Sequence, residues 1–179
     1  MFYAFYAQGC EEIEAITAVD ILRRAGINIK TLGIGGKTIV GSHGIGIVCD
    51  DTADMRFINN IDGIILPGGM PGTLNLEDSP IIQAVIDYCV ENNKLICAIC
   101  AAPTILGHRG LLKNKLATCF PDKANSSFGA RLTSDCVARD GNIITGKGPG
   151  ASIEFALKIV EAVKGADAAS RIRVSLQCQ

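Results

Sequence analysis

The feature that most constrains the fold is a series of short, mainly apolar segments, each followed by a turn that contains glycine or proline. The clearest are Phe2–Ala7, Ile27–Ile34, Gly63–Leu66 and Leu95–Ile99. Apolar runs of this length are typical of strands that are buried on both faces of a sheet. Because segments with helical spacing lie between them, the pattern predicts a mostly parallel sheet with helices on both faces.

The segments between the strands carry helix end signals. Helices are predicted over Glu11–Arg24, from Ser79-Pro80 to about Asn92, over Ala101–Gly107 and over Ser152–Val163. Serine is a favourable N-cap, and proline is favoured at the first helical position. Near the C-terminus, Val137–Arg139 and Ile143–Thr145 flank Asp140-Gly141, a dipeptide typical of a β-hairpin turn. Residues 1–179 are therefore expected to form one α/β domain with a small hairpin.

Charge and hydropathy argue against two classes of partner. The 179 residues carry a formal net charge of −1, 5% aromatic residues and no tryptophan. A dedicated nucleic-acid site is not expected, because such a site needs a basic surface and commonly uses stacking aromatic side chains. Apolar runs stay well short of the ~20 residues of a membrane span, so no membrane partner is expected. The N-terminal segment lacks the features of a signal peptide, and a cytoplasmic location is expected.

The eight cysteines are expected to be mostly reduced, because the chain is long and apolar and shows no secretion signal. Cys97 and Cys100 have the spacing of a CxxC motif, but Cys97 lies inside an apolar strand, which argues against a redox dithiol. The two histidines, His43 and His108, stand apart from any second pair of metal-binding residues. No metal site is therefore expected.

The strongest candidate for chemistry is Cys100, which follows a buried strand and precedes a predicted helix. Unpaired N–H groups and the positive end of the helix dipole would lower the pKa of its thiol below ~8.5. The small residues Ala101 and Ala102 permit the sharp turn of a nucleophile elbow, although the G-x-S-x-G motif is absent. An ordinary core cysteine is the alternative, and the sequence leaves both open.

Glu14 is the second candidate. Glu11 and Glu12 are explained as acids that complement the helix dipole in the first turn. If Glu14 is buried in the crevice at the sheet edge, it would keep its proton near neutral pH and donate a hydrogen bond to a thiolate. A solvent-exposed glutamate is the alternative. The loop Pro67-Gly68-Gly69 could turn a backbone N–H toward an oxyanion, or it could be an ordinary turn.

Five motifs occur in a fixed order and together cover nearly the whole chain. They are Gly9-Cys10-Glu11-Glu12-Ile13-Glu14-Ala15, Arg23-Arg24-Ala25-Gly26, Leu66-Pro67-Gly68-Gly69, Ala98-Ile99-Cys100-Ala101-Ala102-Pro103 and Gly148-Pro149-Gly150. Together they resemble the ThiJ/PfpI superfamily, in the DJ-one and YajL-like branch that includes a Parkinson-associated protein. The resemblance implies a flavodoxin-like three-layer α/β/α sandwich and a homodimer.

The resemblance also implies a function and a set of site residues. Cys100 matches the family's nucleophile, Glu14 its protonated glutamate, and the N–H groups of Gly69 and Ala101 its oxyanion site. Members are described as cofactor-free glyoxalases and protein deglycases that act on methylglyoxal, glyoxal, or glycated amines and thiols. The alternative that the family implies is a redox sensor or chaperone in which Cys100 is oxidised to a sulfinic acid.

Other positions match the family in part. Cys49 matches a peripheral cysteine near the dimer interface, and Arg24 falls within a family motif. His43 stands where many members have an arginine near the pocket, and Phe120 stands where the human-type protein has a histidine. Arg24, His43 and Phe120 are expected to form a secondary pocket. The peptidase branch needs a histidine where Ala101 stands, and no histidine suits an amidotransferase triad, so neither activity is expected.

Overall fold

The computed structural model describes residues 1–126 and 129–178. Its strands are β1 (Phe2–Tyr6), β2 (Ile29–Gly33), β3 (Thr38–Val40), β4 (Gly46–Val48), β5 (Asp51–Thr52), β6 (Gly63–Leu66), β7 (Leu95–Ile99), β8 (Leu116–Ala117), β9 (Arg131–Leu132), β10 (Val137–Asp140) and β11 (Ile143–Gly146). Its α-helices are α1 (Glu12–Arg24), α2 (Gly72–Glu77), α3 (Pro80–Glu91), α4 (Pro103–His108), α5 (Ser152–Lys164) and α6 (Ala166–Ser175).

Among the described residues, seven strands form the central sheet in the order β10-β11-β7-β6-β1-β2-β5. All neighbouring pairs in this sheet are parallel except β10 and β11. The flavodoxin-like α/β fold with a mostly parallel sheet and a C-terminal hairpin is therefore confirmed. The sheet extends from β1 in two directions, so the loops after β1 and β6 meet at its carboxyl edge, where ligands bind in folds of this kind.

Two apolar clusters hold helices against opposite faces of the sheet. One cluster joins α1 and α5 to the sheet and includes Leu22, Cys100 and Phe155. The other joins α3 and α4 to the opposite face and includes Ile86 and Ile105. Full burial of one leucine, isoleucine or phenylalanine side chain contributes about 1.5–3 kcal/mol to the stability of the fold. Cys100 therefore belongs to the face of the sheet that α1 and α5 cover.

The first turns of α1 bury acidic residues and expose isoleucines. Glu12 and Glu14 are 4% and 0% exposed, whereas Ile13 and Ile16 are 55% and 49% exposed. A buried carboxyl group destabilises a fold unless hydrogen bonds compensate for its lost hydration. The start of α1 therefore belongs to a polar site, and the exposed isoleucines leave an apolar patch on the surface.

Several boundaries differ from the sequence prediction by one or two residues; β2, for example, is Ile29–Gly33 rather than Ile27–Ile34. Helix α4 begins at Pro103 rather than at Ala101, because residues 100–102 form a turn. The hairpin turn comes one residue later than predicted, since Asp140 pairs with Ile143 and Gly141 has a φ of +63°. β3 and β4 form a separate antiparallel hairpin. None of the described helices has the length and apolar character that crossing a membrane requires.

Candidate active site

Cys100 occupies the turn that follows β7. Its φ of +65° is in the left-handed region, which residues other than glycine rarely adopt. Two backbone hydrogen bonds hold the turn, because the Cys100 N–H donates to Gly146 O at 2.9 Å and the Phe120 N–H donates to Cys100 O at 2.8 Å. Such a conformation costs of order 1–3 kcal/mol and persists only where the surroundings impose it. The turn has the strained character of a nucleophile elbow.

Glu14 lies beside Cys100 and is fully buried, which confirms the buried orientation that the sequence left open. Its Oε2 accepts a 2.7 Å hydrogen bond from the Gly68 N–H. Its Oε1 is buried and has no hydrogen-bond partner among the described residues. The carboxyl group interacts with the Cys100 thiol, and each group shifts the pKa of the other.

The loop after β6 fits around this pair only because it consists of glycine. A Cβ atom at Gly68 would lie 2.7 Å from Cys100 Cβ and 2.9 Å from Glu14 Oε2. Gly69 has a φ of +86°, and a Cβ there would lie 2.4 Å from Glu11 N. The N–H groups of Gly69 and Ala101 face the Cys100 sulfur and oppose the rise in its pKa. The predicted oxyanion donors therefore converge on the thiol.

Burial controls the protonation of both groups. Burial raises the pKa of the Glu14 carboxyl to about 7, although the Gly68 N–H and Cys100 oppose the rise. Burial also raises the pKa of the Cys100 thiol to about 12, and the Glu14 charge adds to the rise. Because the two groups interact, the pair loses its first proton near pH 7 and its second near pH 12. Between these values the pair holds one proton and one negative charge.

The expectation that Cys100 by itself has a lowered pKa is therefore wrong. Helix α4 is only 6 residues long, and it begins at Pro103 rather than beside the thiol. The effect of a helix dipole falls off within the first turn, so α4 does little to oppose the loss of hydration. A Cys100 thiolate forms instead when the shared proton resides on Glu14.

A second polar cluster lies next to this pair. The His43 N–H donates to Glu12 Oε1 at 2.7 Å, and His43 Nδ1 lies 2.8 Å from Glu12 Oε2. Burial opposes ionisation of Glu12, but the hydrogen bonds from His43 outweigh it and lower the Glu12 pKa to about 2. Glu11 Oε1 lies 4.0 Å from the same imidazole nitrogen.

This cluster corrects the expectation that His43 stands apart from other metal-binding groups. The ligand atoms of Glu11, Glu12 and His43 all lie within 4.8 Å of one another. Within the described part of the chain, these are the side chains whose spacing could hold a metal ion. The Glu12 carboxylate is already engaged by hydrogen bonds from protein groups, which is the ordinary way to stabilise a buried charge.

The remaining predicted pocket residues are only partly brought together. Phe120 contacts Cys100 through its backbone, and its side chain is partly exposed beside Gly148. His43 lies against Glu12 on the other side of the site. Arg24 forms an exposed ion pair with Asp20 at the far end of α1, about 15 Å along the helix axis from Glu14. The structure does not bring Arg24 to the Cys100 site of its own chain.

The other cysteines lie in different environments. Cys49 is 1% exposed, so the fold shields its thiol from oxidants in solution, and burial raises the pKa of this thiol to about 11. Cys97 is fully buried in β7, on the strand that leads to Cys100. Cys136 is exposed.

Sequence reasoning missed the role of Glu12, which it assigned to the helix dipole. A signal is present at Gly41, where a Cβ atom would lie 2.2 Å from Glu12 Oε1. Glycine at that position makes room for a carboxylate from another element. The sequence alone does not reveal which side chain fills that space.

The chain is similar to a known protein family, to proteins of other organisms and to solved structures. Residues 2–162 match the model of the DJ-1/PfpI family. The chain is 37% identical over 175 residues to the zebrafish (Danio rerio) Parkinson disease protein 7 homolog, covering 95% of this chain and 93% of that protein. It is 35% identical over 159 residues to the Caenorhabditis elegans glutathione-independent glyoxalase DJR-1.2, covering 88% of this chain and 85% of that protein. The crystal structure of Drosophila melanogaster DJ-1beta is similar with a TM-score of 0.94 and 32% identity, covering 99% of this chain and 97% of that chain.

Proposed function

Because this chain belongs to the DJ-1/PfpI family, we propose that it is a cysteine-dependent glyoxalase that needs no cofactor and also acts on dicarbonyl adducts of amines and thiols. The observation that carries the proposal is the contact between a strained, buried thiol and a fully buried carboxyl group with a pKa near 7. The glyoxalase name of the nematode relative supports the choice of substrate. Cys100 would be the nucleophile and Glu14 the group that moves protons.

In the first step the Cys100 sulfur adds to the aldehyde carbon of methylglyoxal. A sulfur–carbon bond forms, and the carbonyl electron pair moves to oxygen, where the N–H groups of Gly69 and Ala101 would hold it. Glu14 donates its proton to that oxygen, which gives a neutral hemithioacetal. For a glycated amine or thiol, the same attack breaks the bond from carbon to nitrogen or sulfur, and Glu14 protonates the leaving group.

The following steps need no external oxidant. Glu14, now ionised, removes the proton from the former aldehyde carbon, and the neighbouring carbon takes up a proton through an enediol. The first carbon is oxidised and the second is reduced, which leaves a thioester on Cys100. One water molecule then hydrolyses the thioester, lactate leaves, and the sulfur is released as a thiolate. Glyoxal would give glycolate by the same route.

The direct test is lactate formation from methylglyoxal by purified protein. Cys100→Ser is expected to lower kcat/KM by about a thousandfold or more, because an alcohol at this position lacks the nucleophilicity of a thiolate. Cys136→Ser, which removes an exposed thiol, is the matched control and is expected to keep the wild-type rate. Wild-type rates in Cys100→Ser would exclude this mechanism.

Peptidase and amidotransferase activities are not proposed. Both need a histidine that activates the cysteine, and the histidines of this chain contact other groups. His43 contacts Glu12, and His108 pairs with Glu77. Ala101 occupies the position directly after the nucleophile.

Oxidation sensing is the second candidate function, and the unpartnered Glu14 Oε1 favours it. A sulfinic acid at Cys100 would place new oxygen atoms beside this carboxyl group and the N–H groups of Gly69 and Ala101. A protonated Glu14 could donate a hydrogen bond to such an oxygen and stabilise that oxidation state over further oxidation. A chaperone role would be a consequence of this sensing.

We also propose that the chain forms a homodimer. Ile13 and Ile16 of α1 and Val48 of β4 are 55%, 49% and 73% exposed. Ile16 and Val48 line the same surface depression and therefore form part of one apolar patch. Apolar patches of this kind mark association surfaces. The cytoplasmic location stays a prediction from the sequence.

A further inference from the structure

We propose that Glu12 is a positioning residue for the Cys100–Glu14 pair. It would act by holding the turn between β3 and β4, residues 41–45, against the loop that follows β1. We call residues 41–45 the clamp turn. The inference deepens the function proposed above, because it assigns a further residue to the same site.

The Glu12 carboxylate is the point to which the clamp turn is fastened. It accepts hydrogen bonds from the His43 N–H at 2.7 Å and from the Ile45 N–H at 3.4 Å. The Ser42 hydroxyl lies 3.4 Å from Glu12 Oε2, and His43 Nδ1 lies 2.8 Å from the same oxygen. A buried carboxylate that accepts several charge-assisted hydrogen bonds fixes the groups that donate them.

The clamp turn also fits closely around this carboxylate. A Cβ atom at Gly41 would lie 2.2 Å from Glu12 Oε1 and 2.5 Å from Glu12 Cγ. Even one added methyl group would therefore displace the carboxylate from its donors. The shape of the turn and the position of Glu12 depend on each other.

The clamp turn and the end of β3 together hold the loop after β1. The Ser42 N–H of the clamp turn donates to Cys10 O, and the Gly9 N–H donates to Val40 O of β3, both at 2.8 Å. These bonds fix the loop on the side that faces β3 and β4. Because the clamp turn holds one side of this loop, the loop has little freedom to move relative to the groups that it contacts on its other side.

On its other side, the same loop contacts the groups that touch Cys100 and Glu14. The Glu11 N–H donates to Gly68 O at 3.0 Å, and the Gly72 N–H donates to Gly9 O at 3.1 Å. Gly68 supplies the N–H that binds Glu14, and Gly69 supplies an N–H that faces Cys100. A chain of backbone contacts therefore runs from Glu12 to both members of the pair. Displacement of the clamp turn would loosen the donors that set their protonation.

The test measures the pH dependence of Cys100 alkylation by iodoacetamide, with peptide mass spectrometry to separate Cys100 from the other cysteines. Two variants disrupt the contact between the Glu12 carboxylate and the clamp turn. Glu12→Ala removes the carboxylate, and Gly41→Ala displaces it. Both are expected to shift the lower inflection of the profile and to slow alkylation near neutral pH by about tenfold or more. Glu12→Gln, which keeps one acceptor oxygen, is expected to lie between these variants and wild type.

His43→Ala removes the imidazole contact with Glu12 Oε2 but keeps the backbone N–H that donates to Oε1, so its profile is expected to lie between those of wild type and Glu12→Ala. A control at a distant carboxylate completes the series. Glu91→Ala removes an exposed carboxylate at the end of α3 and is expected to leave the profile unchanged. If Glu12 only stabilised the fold, Glu12→Ala would lower the melting temperature without changing the pH of the inflection in the alkylation profile.

The outcomes separate this inference from the proposed function. If folded Glu12→Ala and Gly41→Ala keep the wild-type profile within about twofold, the positioning role is wrong. If Glu12→Ala does not fold, Gly41→Ala and Glu12→Gln decide, because the first keeps Glu12 and the second keeps a side chain of the same length with one acceptor oxygen. If the profile depends on Glu12 but wild-type protein does not convert methylglyoxal, the positioning role stands and the glyoxalase proposal fails.

Discussion

The Gly68 N–H donates a 2.7 Å hydrogen bond to Glu14 Oε2 and thereby joins the end of β6 to the first turn of α1. The bond fixes one oxygen of a fully buried carboxyl group as an acceptor. The other oxygen, Oε1, has no hydrogen-bond partner within the described residues and is the natural position for a proton. The acid–base behaviour of the site depends on this backbone contact.

Gly68→Ala is expected to damage the site without removing any functional group. Its Cβ would lie 2.7 Å from Cys100 Cβ and 2.9 Å from both Ala101 N and Glu14 Oε2. Overpacking of this kind costs about 1–3 kcal/mol. We expect a loss of that size in urea denaturation, together with slower alkylation of Cys100. Gly150→Ala, where a Cβ meets open space, is the matched control.

Glu14→Gln is expected to make stability less dependent on pH. The folded pKa of Glu14, about 7, lies above its ordinary value of 4.5, so its buried neutral form favours the fold below pH 4.5, and this contribution is lost as pH rises through 7. Relative to wild type, Glu14→Gln should gain about 3 kcal/mol between acidic and mildly alkaline pH. Urea denaturation at both ends of this range measures the gain, and equal pH dependence in the two proteins would contradict the raised pKa.

Alkylation of Cys100 in wild-type protein is expected to rise through about pH 7, where the pair loses its first proton. In Glu14→Gln the thiol must ionise without a carboxyl partner. Burial still raises its pKa, but the contribution of the Glu14 charge is gone. The inflection should therefore move to a value above 7 and below the value of about 12 for the thiol in wild type. An inflection that stays near its wild-type position would show that Glu14 does not share the proton.

Mild peroxide is expected to add two oxygen atoms to Cys100 before Cys49 reacts. Cys49 is 1% exposed and lies beside the Asp50 charge, whereas Cys100 is 8% exposed and has the Gly69 and Ala101 N–H groups and the Glu14 carboxyl beside its sulfur to bind new oxygen atoms. Mass spectrometry of peptides resolves the order. Because Cys136 is exposed, Cys136→Ser is the control, and Cys100 in this variant should be oxidised as in wild type. Oxidation spread evenly over the cysteines would contradict the sensor hypothesis.

Charge introduced into the apolar patch is expected to separate the proposed dimer. Ile16→Lys combined with Val48→Lys should lower the mass measured by light scattering from that of a dimer to that of a monomer, because two buried charges outweigh the apolar contact. Leu74→Lys, at a residue of α2 that is 47% exposed, is the control. A wild-type protein that is monomeric at micromolar concentration would exclude the proposed dimer.

Part of the site could be predicted before the fold was known. The position of Cys100 after an apolar strand indicated a candidate nucleophile, and five motifs in order indicated the family. The wrong predictions concern the surroundings of Cys100 and Glu12 in the folded chain. The thiol pKa was expected to fall because of a helix terminus, but burial and Glu14 raise it. The helix dipole explains an acid at Glu12 from the sequence, but in the fold Glu12 is buried and hydrogen-bonded to the turn between β3 and β4.

The sequence by itself determined the alternation of strands and helices, and hence a parallel sheet with Cys100 at its carboxyl edge. Hydrophobic periodicity and glycine-rich turns are local properties, and they are sufficient to specify these elements. Only the tertiary structure decided which acids of α1 face inward, which glycines must lack a side chain, and where the proton of the site resides. Those properties depend on the loss of hydration and on contacts between residues as distant as Glu14 and Cys100, which no local pattern records.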